Sequence, residues 1–259
     1  MGMELYQHFR KEEHQFIDHV MEWKEMVEHQ YAPKLTDFLD PREQQIVQSI
    51  VGSDGDVRVS FFGGALFVER KRALLYPPYF EPNEEDYDIA LFAVRYPGKF
   101  VSLEHRDVLG ALMSLGLRRG KFGDILVQGG EIQFFAAAEV ADYSRLHVGT
   151  IGKAPVSLEL LPLSAAMPLA ETWEEGTVTV SSLRLDAVLA QAFRLAREKA
   201  KTLIESGLVK VNWKVVDKPD FVCGPGDVLS ARGFGRCKLF SVEGMTKKER
   251  WRIRLGRQK

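Results

Sequence analysis

The chain has 259 residues, 45% hydrophobic and 27% charged, a globular composition with room for two or three modest cores. It contains no run of about 18 apolar residues and no apolar signal core within Met1 to Arg10, so no spanning helix is expected and the cytoplasm is the expected location. The formal charge of −1 hides an asymmetry: residues 181–259 hold 18 basic and 8 acidic side chains, net +10, and residues 1–180 hold 17 and 28, net −11. A polyanion is drawn to the carboxy-terminal third.

In chain order, residues 4–30 predict a helix, with Leu5, Phe9, Phe16, Val20, Trp23 and Val27 at helical spacing. Its histidines, His8, His14, His19 and His29, lack the four-residue step that sets two metal ligands on one face. Tyr31 to Leu39 reads as a connector. Asp40 is an N-cap before Pro41, opening a helix to Val51. Gly52-Ser53-Asp54-Gly55 ends a helical region, 1–53.

Residues 54–168 then alternate strands and helices. Val57–Phe62, Leu66–Arg72 and Ala73–Tyr76 read as extended. Tyr87–Tyr96 is an apolar strand with Lys99–Leu103 as its expected neighbour. His105–Leu115 is an amphipathic helix. Gly123–Gln128 and Glu131–Ala137 form a hairpin through Gly129-Gly130. Glu139–Leu146 is a short helix and Val156–Leu163 a further strand. The sum is an α+β sandwich. Residues 169–180 read as linker.

From Ser181 to residue 245 the pattern is two short helices, a glycine stop and a hairpin. Leu183, Leu185, Val188, Leu189 and Phe193 form the first apolar stripe, and Ala200, Leu203 and Ile204 the second. Gly207 suits a left-handed C-cap, Val209 and Val211 alternate with Lys210 and Asn212, and Pro225-Gly226 turns into Val228–Ala231. Residues 246–259 read as a basic tail that orders only on a partner. Cys223 and Cys237 stand without a nearby histidine, so free thiols, no metal and no cofactor are expected.

The Arg184-Leu185-Asp186 start, the Gly207-to-Asn212 strand and the Pro225-Gly226-Asp227 turn together resemble the S4 RNA-binding domain. The resemblance implies RNA contact through Arg184, Arg197, Lys199, Lys201, Lys210, Asn212 and Lys214. Seven such contacts predict a log–log salt slope of about −5 to −6. Two positions depart from the usual pattern: Ala196 replaces a serine before Arg197, and Trp213 replaces the hairpin glycine. Trp213 offers a ring for stacking on a base or ribose.

Outside that module, Phe61-Phe62-Gly63-Gly64, Glu69-Arg70-Lys71-Arg72, His105 to Leu112 and Arg118 to Ile125 resemble the central domain of the bacterial YlmH proteins. That resemblance implies an α+β architecture: a helical amino-terminal region, a central RRM-like RNA-binding domain and a carboxy-terminal S4 domain. It further implies a non-enzymatic protein that binds rRNA, and tRNA, on the large ribosomal subunit, and serves quality control of stalled ribosomes holding peptidyl-tRNA through tailing of the nascent chain. A monomer without membrane contact is expected, with quality-control factors as further partners. Arg70, Lys71, Arg72, Arg106, Arg118, Arg119 and Lys121 are candidates for a second RNA surface. The alternatives are an RNA-modifying enzyme or a cell-division interaction protein. His105-Arg106-Asp107 resembles a catalytic string of pseudouridine synthases, but lacks its leucine, and in those enzymes the S4 module comes first. The competing reading makes Glu104 and Asp107 a helix start.

Overall fold

The computed structural model describes residues 9, 13–52, 55–66, 68–168 and 173–258. Parts of the predicted first helix (4–8 and 10–12), of the 52–55 break (Ser53, Asp54) and of the predicted linker (169–172) lie outside them, as do Phe67 and Lys259. The chain forms two compact units, Met1–Leu169 and Ala170–Lys259.

In the first unit, α1 (His14–Gln30) buries Ile17, Val20 and Val27, as its spacing requires. The helix α2 (Pro41–Val51) opens on a full capping box. Asp40 accepts from the Glu43 amide at 2.9 Å, and Glu43 accepts from the Asp40 amide at 2.6 Å. Between these helices Lys34–Leu39 is strand β1, not connector. It pairs antiparallel with β3 (Lys71–Tyr76), which pairs with β2 (Arg58–Phe62), in the order β1-β3-β2. Leu39, Ala73 and Leu75 share a core with Val20, Val27, Val47 and Val51. The expected 53/54 boundary therefore cuts through a sheet whose strands come from both of its sides.

A second sheet has the order β5-β6-β4-β9, from β4 (Ile89–Arg95), β5 (Phe122–Gln128), β6 (Glu131–Ala137) and β9 (Ser157–Leu161). Helices α3 (His105–Ser114) and α4 (Ala141–His147) fall after β4 and β6, so the connectivity is βαββαβ, that of an RRM-like domain. Gly129 and Gly130 close the β5–β6 hairpin with φ of +60° and +82°, values a side chain would resist. Lys99–Leu103 is not a strand; the chain turns at Pro97, and β9 takes the place beside β4. Phe92 stacks on Phe134, which the register sets opposite it, and Phe122 meets Phe134 edge-on. Leu91, Ala93, Gln133 and Phe135 point to the other face.

That other face is where an RRM stacks bases on exposed aromatics. Here it is covered. Leu91 and Phe135 are fully buried, and Phe38 of β1 and Val68 pack in the same core. Gly64 and Gly123 permit the closeness: a Cβ on either would lie 2.6 Å and 2.9 Å from Phe135 atoms. Gln133 is held by the Ala165 carbonyl and the Met167 amide. The fold is RRM-like, but its stacking platform is inside the unit.

In the second unit a six-stranded antiparallel sheet runs β10-β15-β14-β13-β11-β12. Its strands are β10 (Trp173–Val180), β11 (Val209–Val211), β12 (Lys214–Val215), β13 (Val228–Ala231), β14 (Gly235–Met245) and β15 (Trp251–Gln258), with the hairpin β7 (Thr150–Ile151) and β8 (Ala154–Pro155) in the first unit completing the numbering. Helices α5 (Leu185–Phe193) and α6 (Arg197–Glu205) lie on one side and bury Leu185, Val188, Leu189, Ala200 and Ile204 against Val209, Val211, Leu229, Leu239 and Ile253. Two expectations change. Residues 173–180 of the linker are β10, and residues 251–258 of the tail are β15, paired along their whole length. Ile253 and Leu255 bury while Arg252 and Arg254 stay exposed, so the apolar half of that alternation orders the strand without a partner.

Candidate RNA interface of the carboxy-terminal unit

The chain enters α5 against the segment 219–223. Leu185 and Asp186 amides donate to the Phe221 and Pro219 carbonyls, and Cys223 donates to Leu183. This fixes Asp186 in the first turn of α5, with only 6% of its side chain exposed. Two arginines converge on that carboxylate. Arg184 donates through Nε and Nη2 at 3.2 and 3.4 Å, and Arg197, at the start of α6, through the same two atoms at 3.1 and 3.3 Å. Burial pushes the Asp186 carboxyl up, but the Arg197 and Arg184 hydrogen bonds outweigh it and hold it below the ordinary 3.8.

The arrangement is an ion triad with one negative and two positive charges. It ties the two helix starts together and sets both guanidiniums in fixed orientation, each about half exposed at 44% and 50%. The fork consumes Nε and Nη2 of each and leaves Nη1 out of it. A phosphate meeting this surface finds two pre-aimed cations and a surplus of one positive charge. Because the folded carboxyl titrates below its unfolded value, its stabilising contribution is complete above pH 3.8 and is lost as the pH falls through the folded value. A carbon-detected titration should place the Asp186 midpoint below 3.8, and Arg197→Ala should move it upward; a midpoint at or above 3.8 in the unaltered chain would contradict the triad.

The other candidates divide. Lys201 lies one turn after Arg197, on the same helix side, in a loose 3.8 Å pair with Glu205 worth little in water. Lys199, two residues on from Arg197, sits 5.3 Å from the Phe234 ring centroid. Lys214 pairs in register with Val211 and so takes the helix side of the sheet. Lys210 lies on the opposite face, since its neighbours Val209 and Val211 point to the helices. Asn212 is engaged within the module: its amide nitrogen donates to Asp227 at 2.8 Å and its oxygen accepts from the Val228 amide at 2.9 Å. With Asp227 also accepting from the Gly224 amide, this clamp joins the two turns. Asn212 and Trp213 take φ of +49° and +64°, so the tight hairpin turn forms without its usual glycine. The set facing one way is Arg184, Arg197 and Lys201, with Lys199 and Lys214 at its margins.

The second surface proposed from sequence is largely dismantled. Arg72, 4% exposed, donates to the Thr36, Tyr87 and Asp88 carbonyls and pairs with Glu139. Arg70 donates to the Phe38 and Phe122 carbonyls. Arg119 donates to the Phe122 and Gly123 carbonyls, and burial beside Arg70 lowers its pKa to about 10. Lys121 bridges Asp37 and Glu139. Arg70, Arg72 and Lys121 hold β1 through the Phe38 and Thr36 carbonyls and the Asp37 carboxylate, while Arg119 braces the start of β5, because buried carbonyls need donors and long cations supply them. Lys71 is half-buried in β3; Arg118 and Arg106 remain exposed, Arg106 beside Glu104 at 3.1 Å. Asp107 caps α3 by accepting from the Glu104 amide, which accounts for the His105-Arg106-Asp107 string as a helix start. The thiols of Cys223 and Cys237 are free and buried, and burial pushes both to about 12. No helix among the described residues is long and apolar enough to cross a membrane.

Sequence reasoning missed Asp186 as the organiser, although it stands within the Arg-Leu-Asp string. It also missed the strand character of residues 251–258, signalled by alternating Trp251, Ile253 and Leu255.

Comparison with known proteins gives three family matches: "YlmH, N-terminal" over residues 12–80, "Putative RNA-binding domain in YlmH" over 82–165 and "S4 domain" over 183–229. The Bacillus subtilis (strain 168) protein named "Ribosome-associated protein quality control protein P2" is 51% identical over 256 residues, which span 99% of each chain. The solved structure "Cell division protein ylmH from Streptococcus pneumoniae" matches 63% of this chain and 99% of its own, with a TM-score of 0.55 and 36% identity. A full-length relative at that identity, and matches in the same order along the chain, make this protein a member of the YlmH family.

Proposed function

We propose that this protein is a non-enzymatic RNA-binding factor of the ribosome, acting in quality control of stalled translation. The carrying observation is the Arg184–Asp186–Arg197 triad: a fixed pair of half-exposed guanidiniums at the joined helix starts of an S4 domain in a unit of strongly positive charge. The name of the Bacillus subtilis relative supports the process. In the finer reading the triad and Lys201 dock on rRNA of the large subunit and reach peptidyl-tRNA, and the protein, as a monomer, supports tailing of the trapped chain. Phosphate contacts of this kind position a protein; rRNA shape supplies specificity.

Co-sedimentation with purified large subunits over a salt series tests the reading. Three to five phosphate contacts give a log–log slope of about −2 to −4, shallower than seven would, because Asn212 and Lys210 do not share this surface. Binding that is insensitive to salt, or to nuclease treatment, would refute it.

A further inference from the structure

We propose that the sheet face of the carboxy-terminal unit turned away from α5 and α6 binds an unpaired RNA strand. The proposal extends the reading above, in which this unit handles RNA, to its other side.

The face follows from strand alternation. Leu229, Cys237, Ile253 and Leu255 point to the helices, so their neighbours point outward. The register then aligns Lys210 with Ser230, Ser230 with Arg236, Lys238 with Gly256, Arg254 with Thr177 and Arg252 with Thr179. Five cations from β11, β14 and β15 therefore share one surface. One carboxylate that register sets among them is Glu175, 3.7 Å from Arg254, with both side chains about half exposed.

Aromatic rings are interleaved with these cations. Lys238 Nζ lies 5.6 Å and Arg254 Cζ 5.7 Å from the centroid of Phe240, and Arg236 Cζ lies 5.9 Å from that of Trp213. Trp173 meets Phe240 edge-on at 6.2 Å. Gly256 lets this pair settle onto the strand, since a Cβ there would come within 2.6 Å of Phe240 and 2.8 Å of Trp173. The aromatics thus lie along the sheet.

Two cations drawn to one ring repel each other, and Glu175 offsets only part of that. A chain of phosphates relieves the rest while its bases stack on the rings. The two faces differ in what they offer. The triad face offers fixed guanidiniums, suited to the backbone of folded RNA. The sheet face offers cations and rings together, and a ring is useful only where bases are unpaired, because a duplex hides their faces.

Fluorescence anisotropy of the full chain with a fluorescein-labelled oligouridylate of about a dozen nucleotides tests this. Lys238→Gln with Arg254→Gln should weaken binding about tenfold and flatten the log–log salt slope by about 1.4. Glu175→Gln should tighten binding about twofold, a change of opposite sign that damage to the fold would not produce. Unchanged oligouridylate affinity in the folded double variant overturns the proposal. So does equal binding of a labelled polyglutamate peptide, which would make the partner an acidic protein. Subunit co-sedimentation is read separately: a chain that sediments with subunits but ignores oligouridylate sinks this inference alone, and one that binds oligouridylate but not subunits sinks the ribosomal reading.

Discussion

Alanine at Arg184, Arg197 and Lys201 together should lower large-subunit binding about a hundredfold or more at about 0.15 M salt, with the salt slope falling by about 2 to 3. In the proposed docking each residue contributes a charge-assisted contact, and two of the three are held in place before binding by Asp186. The variant also strands that buried carboxylate without its cations, which costs stability. Adding Asp186→Asn removes the orphan charge and separates the two effects: folding should recover, and binding should not. Lysine at 184 and 197 keeps the charge but cannot grip with two parallel donors, so about a tenfold loss is expected. Unaltered co-sedimentation of a folded triple variant would refute the docking surface.

Arg72→Met should destabilise the amino-terminal unit by about 3 to 5 kcal/mol. The guanidinium donates at 2.7 Å to the Thr36 carbonyl and at 3.1 and 2.9 Å to those of Tyr87 and Asp88, and faces Glu139 at 3.5 Å. Burial lowers its pKa, and Glu139, Asp37 and Asp88 offset part of that. Methionine fills similar space but withdraws the donor from the Thr36 and Tyr87 carbonyls, while the Asp88 carbonyl keeps the Ala138 amide and Glu139 keeps Lys121. Thermal unfolding should show the loss as a drop of about 10 °C or more. A change below about 1 kcal/mol would show that water replaces the arginine there.

The two helices before the hairpin, Gly207 with its φ of +68°, the Gly129-Gly130 turn and the Asp40 cap were all legible in the sequence, because each rests on contacts between residues close in the chain. Lys34–Leu39 was not: its partner is the distant β3, and a strand that short between two helices carries little alternation of its own. The tail misled for a different reason. Its basic residues dominate the composition, while the three apolar positions that order it are few and regularly spaced. At the site, residue type alone could not separate Arg184 from Arg72. Both are arginines beside apolar strings; one faces solvent over a carboxylate and the other is enclosed by carbonyls. Only the packing of distant segments decides which.

The place of β15 between β14 and β10 changes what an early stop would mean. A message truncated before codon 251 would not yield a protein that is merely shorter by a flexible end. It would withdraw an interior plank, leave β10 with no neighbour to hold it, and bare the backbone of β14 as a template for other chains.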